Sequence, residues 1–245
     1  MIEPHSKMLV NDIYPAIVGE GLTAGQPCTL VRLFGTNFVN QLDLHTYASD
    51  PTHENKDSNA RNIFVDDVIE EILGKKGGVK NHLLIVGGEP LVQQEALVLL
   101  IRRYKEKQPK AFIEVATNGL TQPLPELDDL VDRFIVSVPL ANATRSRDKS
   151  GTFSTRVKGK VLEFFAKRRG VSFIFHLDNI EQVSEVTEIE KSVKIPRHKM
   201  WLTYASTNHM EVRRNTPSIV DYCAMNGYNY SPRIHVSVFN GQRGK

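Results

Sequence analysis

The chain has 245 residues, 40% hydrophobic and 24% charged, with 31 basic and 28 acidic side chains and a formal net charge of +3. That length fits one α/β domain without requiring two, and so small a positive excess does not by itself point to a nucleic-acid partner. Two cysteines exclude a disulfide framework, no apolar run approaches a membrane span, and the opening MIEPHSKMLV lacks the apolar stretch of a signal peptide, so a cytoplasmic protein is expected.

In chain order, CTLVRLF (28–34) reads as a short strand, and the polar stretch 52–62 as a loop. Residues 63–73 place Ile63, Phe64, Val68, Ile69, Ile72 and Leu73 at helical spacing, with Gly74 as a natural stop. HLLIVGG (82–88) is a second strand. Pro90 then suits the first turn of a helix over 91–104. Strands follow at 111–117, 133–139 and 171–177, and helices at 157–167 and 180–193, with a loop over 144–158. Near-continuous apolar strands are those of a parallel sheet covered on both faces, and their alternation with helices predicts an α/β fold. Pattern alone leaves an open sheet and a partial barrel both standing. Near the C-terminus IVDYCAM is helix-like, and Arg233 and His235 alternate with Ile234 and Val236 as in a strand.

Several short motifs are more specific. GEG (19–21) precedes the strand that carries Arg32. RLFGTNFVNQLDLHTYA spans 32–48, LLIVGGEPLVQ spans 83–93, TNG spans 117–119, SVPLANA spans 137–143 and SPRIHVSVFNGQRG spans 231–244. Together these resemble the 7-carboxy-7-deazaguanine synthase family of radical S-adenosylmethionine (SAM) enzymes, from about residue 12 to 244 and most faintly over 144–217. The resemblance implies a partial (β/α) barrel of the radical-SAM type with a mostly parallel sheet, a single domain over 1–245, and a homodimer.

It also implies a cluster that the sequence does not support. The family carries three cysteines spaced CxxxCxxC; here Thr36, Asn40 and Asp43 stand in their places. A radical-SAM [4Fe–4S] cluster needs three thiolates and leaves one iron open for SAM, and hydroxyl, amide and carboxylate oxygens are hard donors that do not replace them. Cys28 and Cys223, both in apolar surroundings, read as core thiols. No iron–sulfur cluster and no other cofactor are expected, and SAM binding is expected to be weak at most. Asn40, Asp43 and His45, with His53 nearby in sequence, offer oxygen and nitrogen donors, but the bland reading of a solvated polar loop is preferred and no metal is assigned.

The remaining site residues come from the same resemblance. Gly87, Gly88, Glu89 and Pro90, with Thr117, Asn118 and Ser137, correspond to the SAM pocket. Gly19, Glu20, Gly21, Arg32, Arg233 and His235 correspond to the substrate pocket, where Arg suits carboxylate recognition. A glycine-rich turn and an edge-strand charge account equally well for the GEG motif and Arg32, and for His235 a core or dimer-contact role is preferred to a catalytic one. Departures from the family pattern cluster: Val18 replaces a Gln, Ala116 a Glu, Pro139 a Lys, Leu44 an Asp, and His45 a Thr that the family associates with a magnesium site.

The basic stretches 101–110, 167–169 and 211–214 carry no aromatic pattern of RNA-binding modules. Cations at helix C-terminal ends explain the first two, so nucleic acid is not an expected partner. No membrane partner is expected either. Three functions stay open: a catalytically degenerate homologue that binds a pterin, a deazapurine or a protein; a cluster-independent enzyme acting on a pterin or purine; and a scaffold subunit.

Overall fold

The backbone forms one open nine-stranded sheet in the order β3-β1-β2-β4-β5-β6-β7-β8-β9. The computed structural model describes residues 6–37, 60–75, 79–143 and 156–240. The strands are β1 (Lys7–Ile17), β2 (Pro27–Leu33), β3 (Arg61–Phe64), β4 (His82–Gly87), β5 (Phe112–Thr117), β6 (Arg133–Ser137), β7 (Val171–Leu177), β8 (Met200–Tyr204) and β9 (Asn229–Tyr230). From β2 onward every neighbouring pair across the sheet is parallel. Only β1 runs against its neighbours β2 and β3.

Period two along each strand divides the side chains between two cores. Phe173 and Phe175 of β7 face a large outer core, whereas Ile174 joins Cys28, Leu30, Leu84, Val86 and Ile135 on the concave side. The outer core is roofed by α1 (Val65–Gly74), α2 (Gln94–Lys107), α3 (Pro125–Leu130), α4 (Gly159–Lys167), α5 (Val183–Val193) and α6 (His209–Asn226), and a last helix, α7 (Ile234–Phe239), follows β9. This is the partial (β/α) barrel expected from the sequence. No helix among the described residues is long and apolar enough to cross a membrane.

Several boundaries differ from expectation. Residues 61–64 pair with Lys7–Val10 of β1 as an edge strand, so the first helix starts at Val65 rather than 63. Pro90–Gln93 forms a 3-10 turn before α2 takes over, and Ile180–Gln182 does the same before α5. The expected strand through Arg233 and His235 is a helix instead. The β8–β9 ladder ends as Ser231 N–H reaches Leu202 O, and Pro232 has no N–H to extend it. Val236 and Ser237 then both donate to Arg233 O, closing a helical turn. A four-residue window of alternation is too short to tell strand from helix. Arg32 is no edge charge: β2 lies between β1 and β4, and the side chain is buried.

Candidate functional site

A loop from the β1–β2 connection enters the concave face. Val18 N–H donates to Gln26 O at 2.9 Å and Gly25 N–H to Val18 O at 2.8 Å, pinching the base of the segment GEGLTA. Gly21 has φ +78°, in the left-handed region that glycine accepts without strain, and a Cβ there would lie 3.4 Å from Ile174 Cδ1 on the inner face of β7. The C-terminal segment clamps this loop from its other side. Gly21 N–H donates to Ser231 Oγ at 2.8 Å, and Ile234 N–H donates to Gly19 O at 3.1 Å.

The clamp brings a carboxylate into a cage of bases. Glu20, 3% exposed, accepts from Arg233 Nε at 2.8 Å through Oε1 and meets His176 Nε2 at 2.8 Å through Oε2, with His235 Nε2 3.6 Å from Oε1. Burial pushes the Glu20 carboxyl up, but the charges of His176 and Arg233, the His176 hydrogen bond and His235 outweigh it and hold the group well below the usual carboxylate range. Arg233, 1% exposed, also donates through Nη1 to Ser206 O. Burial takes His235 down to about 4 against the pull of Glu20, so its ring is neutral near neutrality. Arg32 donates through Nη2 to Tyr14 Oη at 3.3 Å and lies 3.9 Å from the Asp12 carboxylate; its charge is felt at His235.

Thr203 completes this mouth. It stands across the β7–β8 ladder from His176 and is fully buried, and its hydroxyl has no hydrogen-bond partner among the described residues. Trp201, two residues earlier on the same strand face, packs against the inner core. An ionised carboxylate, a fixed guanidinium, a neutral imidazole and a spare hydroxyl beside an aromatic wall suit a planar polar heterocycle. A carboxylate can accept from N–H donors, and a guanidinium can donate to an acidic group. Such a mouth lies where parallel α/β sheets place ligands, at the C-terminal ends of the strands.

Gly87 to Pro90, Thr117 and Asn118 meet in a second knot beside it. Glu89 is fully buried and accepts from Leu91 N–H at 3.0 Å, Thr117 Oγ1 at 2.8 Å and Asn118 N–H at 2.7 Å. Burial raises its carboxyl to about 7, and those three donors pull the other way. Gly87, at φ +152°, allows β4 to approach β2, because a Cβ there would sit 2.2 Å from Leu33 O. The described start of the loop after β2 docks here: Glu89 N–H donates to Gly35 O at 2.8 Å, and Asn118 Nδ2 donates to Asn37 Oδ1 at 2.7 Å. Thr36 lies between those contacts, half-buried. Asn40 and Asp43, with Leu44, His45 and His53, lie outside the described residues. Ser137 ends β6, two residues beyond Ile135 on the concave side.

Ala116 leaves the inner face of β5 without a carboxylate at that level, but Glu114, two residues earlier on the same face, supplies one lower down. It is fully buried and contacts Thr23 Oγ1 at 2.8 and 2.9 Å, His82 Nε2 at 2.8 Å and Arg133 Nη1 at 3.3 Å. Sequence reasoning did not single out Glu114, His82, His176 or Thr203. Only His176 was within its reach, as the final inward position of the strand expected over 171–177.

The two thiols do not fit a cluster. Cys28 lies on β2 and Cys223 on α6, both buried, and burial lifts them to about 12 and about 11, with Glu114 adding to the first. They are protonated, apart, and too few, since the whole chain has two cysteines. Among the described residues no group of three His, Cys, Asp or Glu side chains is placed to hold a metal ion.

Comparison with known proteins agrees with this architecture. The chain is 29% identical over 245 residues to the 7-carboxy-7-deazaguanine synthase of Pyrobaculum aerophilum, an alignment covering 98% of each chain. It is 26% identical over 252 residues to that of Halobacterium salinarum, covering 94% of this chain and 90% of the relative. The crystal structure of QueE from Escherichia coli shares the fold, with a TM-score of 0.64 over 94% of this chain and 95% of that one, at 16% identity. No protein-family model matches the chain.

Proposed function

We propose that this homologue of the 7-carboxy-7-deazaguanine synthase family has given up cluster-dependent radical chemistry and serves as a binding or regulatory protein for a pterin or deazapurine. The observation that carries the reading is the buried Glu20 carboxylate ringed by Arg233, His176 and His235. A purely structural ion pair needs fewer groups, and a buried pair is itself weak evidence for stability. The partnerless Thr203 hydroxyl adds a polar group that a ligand would satisfy.

Isothermal calorimetry with carboxylated pterins, deazaguanines and SAM tests it, with the fluorescence of Trp201, the single tryptophan of the chain, as a local reporter. A carboxylated heterocycle is expected to bind and to change Trp201 emission, and Arg32→Ala to weaken it by about 2–5 kcal/mol, much of that from the charge left unpaired. SAM is expected to bind least, because no open iron is there to chelate it. If none of these compounds binds and a defined protein partner is recovered instead, the scaffold function replaces this one.

A further inference from the structure

We propose that Glu114 is a positioning residue for the ligand mouth: acting through Thr23, it holds the loop that carries Glu20 down on the concave face of the sheet. The loop has Gly19, Gly21 and Gly25 within seven residues, two of them at positive φ, and its internal backbone bonds, Val18 with Gln26 and Gly25, Ala24 to Gly21 and Gln26 to Thr23, set its own shape. Its other described ties to the rest of the chain go to Ser231 and Ile234 of the C-terminal segment, and to Arg233, His235 and His176 through Glu20 itself. Thr23 is different. It binds the sheet three residues beyond Glu20, through a carboxylate that no solvent reaches.

Glu114 is in turn fixed from two neighbouring strands, by His82 on β4 and Arg133 on β6. Both stay in place when the Thr23 hydroxyl is removed. The bond to Thr23 is therefore an addition to an ion-paired group, aimed at the loop. It sets where Gly21 and Glu20 come to rest, whatever ligand the mouth takes.

The test is made on the full chain without ligand, comparing Thr23→Val, which keeps the side-chain shape and removes the donor, with Thr23→Ser, which restores it. Amide hydrogen exchange at Gly21 and the ¹⁵N signal of the His176 ring are the readouts, and amides of β5 and β6 are the internal control. Thr23→Val is expected to speed Gly21 exchange by about tenfold and to shift the His176 signal toward that of a Glu20→Gln reference. Thr23→Ser is expected to match the parent, with β5 and β6 unchanged in both. Unchanged Gly21 exchange and His176 signal in Thr23→Val would overturn the proposal. Global unfolding of Thr23→Val would do so equally, because the bond would then serve general stability rather than placement of the loop.

Discussion

The Glu89 carboxylate accepts the backbone N–H of Asn118 at 2.7 Å, and that one bond joins the turn after β4 to the turn after β5. With Leu91 and Thr117 it makes three protein donors on one buried acid. Glu89→Gln puts an amide N–H against one of these donors. It is expected to cost about 1–3 kcal/mol in denaturant unfolding at pH 8.

Glu89 also gives a pH signature. Its folded-state pKa is raised from 4.5 to about 7, so its contribution to stability is full below 4.5 and is lost as pH rises towards 7. His235 works in the opposite sense: lowered from 6.5 to about 4, it contributes above 6.5 and that contribution is lost as pH falls through 4. Subtracting the Glu89→Gln stability curve from the parent curve is expected to leave a difference that falls between about pH 4.5 and 7. A flat difference would contradict the burial assigned to this group.

Arg233→Met is expected to lower stability by about 3–5 kcal/mol, because Glu20 is left buried beside an apolar side chain. Adding Glu20→Gln should recover part of that loss. Glu20 has a depressed folded-state pKa, so its contribution is present above the ordinary carboxylate pKa of 4.5 and is lost on acidification. Arg233→Met should therefore be less acid-sensitive than the parent in urea titrations run between pH 3 and 7.

Anaerobic reconstitution with iron and sulfide is expected to leave the protein colourless, and native-state alkylation to label Cys28 and Cys223 slowly, since both are buried and protonated. Metal analysis giving roughly four irons per chain would refute this.

Gly87→Ala is expected to be severely destabilising, on the order of 3 kcal/mol or more, because the new Cβ meets backbone that cannot move without parting β4 from β2. Gly74→Ala, with nothing within 4 Å of its added Cβ, is the matched control. A thermal melt in which both variants match the parent would contradict the close approach of the two strands.

The parallel strands were legible because a sheet covered on both faces demands unbroken apolar runs, as in LLIV of β4 and FIF of β7. β1 was not, since Asn11, Asp12 and Pro15 interrupt KMLVNDIYPAI, and its outer edge is paired only from Lys7 to Val10. MWLTY of β8 is too short to stand out. In the site, Glu20 and Arg233 were visible as motif residues, but their contact was not, because it depends on a loop folding inward and a strand ending at Pro232. Arg32, which the resemblance puts in the same pocket as Glu20, has described contacts to Tyr14 and Asp12. Glu114 was passed over as one acid in a strand. Its full burial and its contacts to Thr23, His82 and Arg133 appear only in the folded chain.

Glu20 and Arg233 are 213 positions apart in the chain, and this separation imposes a timetable on synthesis. At about 5–20 residues per second, the ribosome releases Glu20 well before its guanidinium exists. Neighbouring strands can zip together in the order they emerge, but an acid left alone does not give up its water. The loop therefore stays hydrated above a half-built shell, and the mouth closes only when the final turn of chain arrives. A premature stop after α6 would spare most of the barrel and still leave Glu20 without Arg233 and His235.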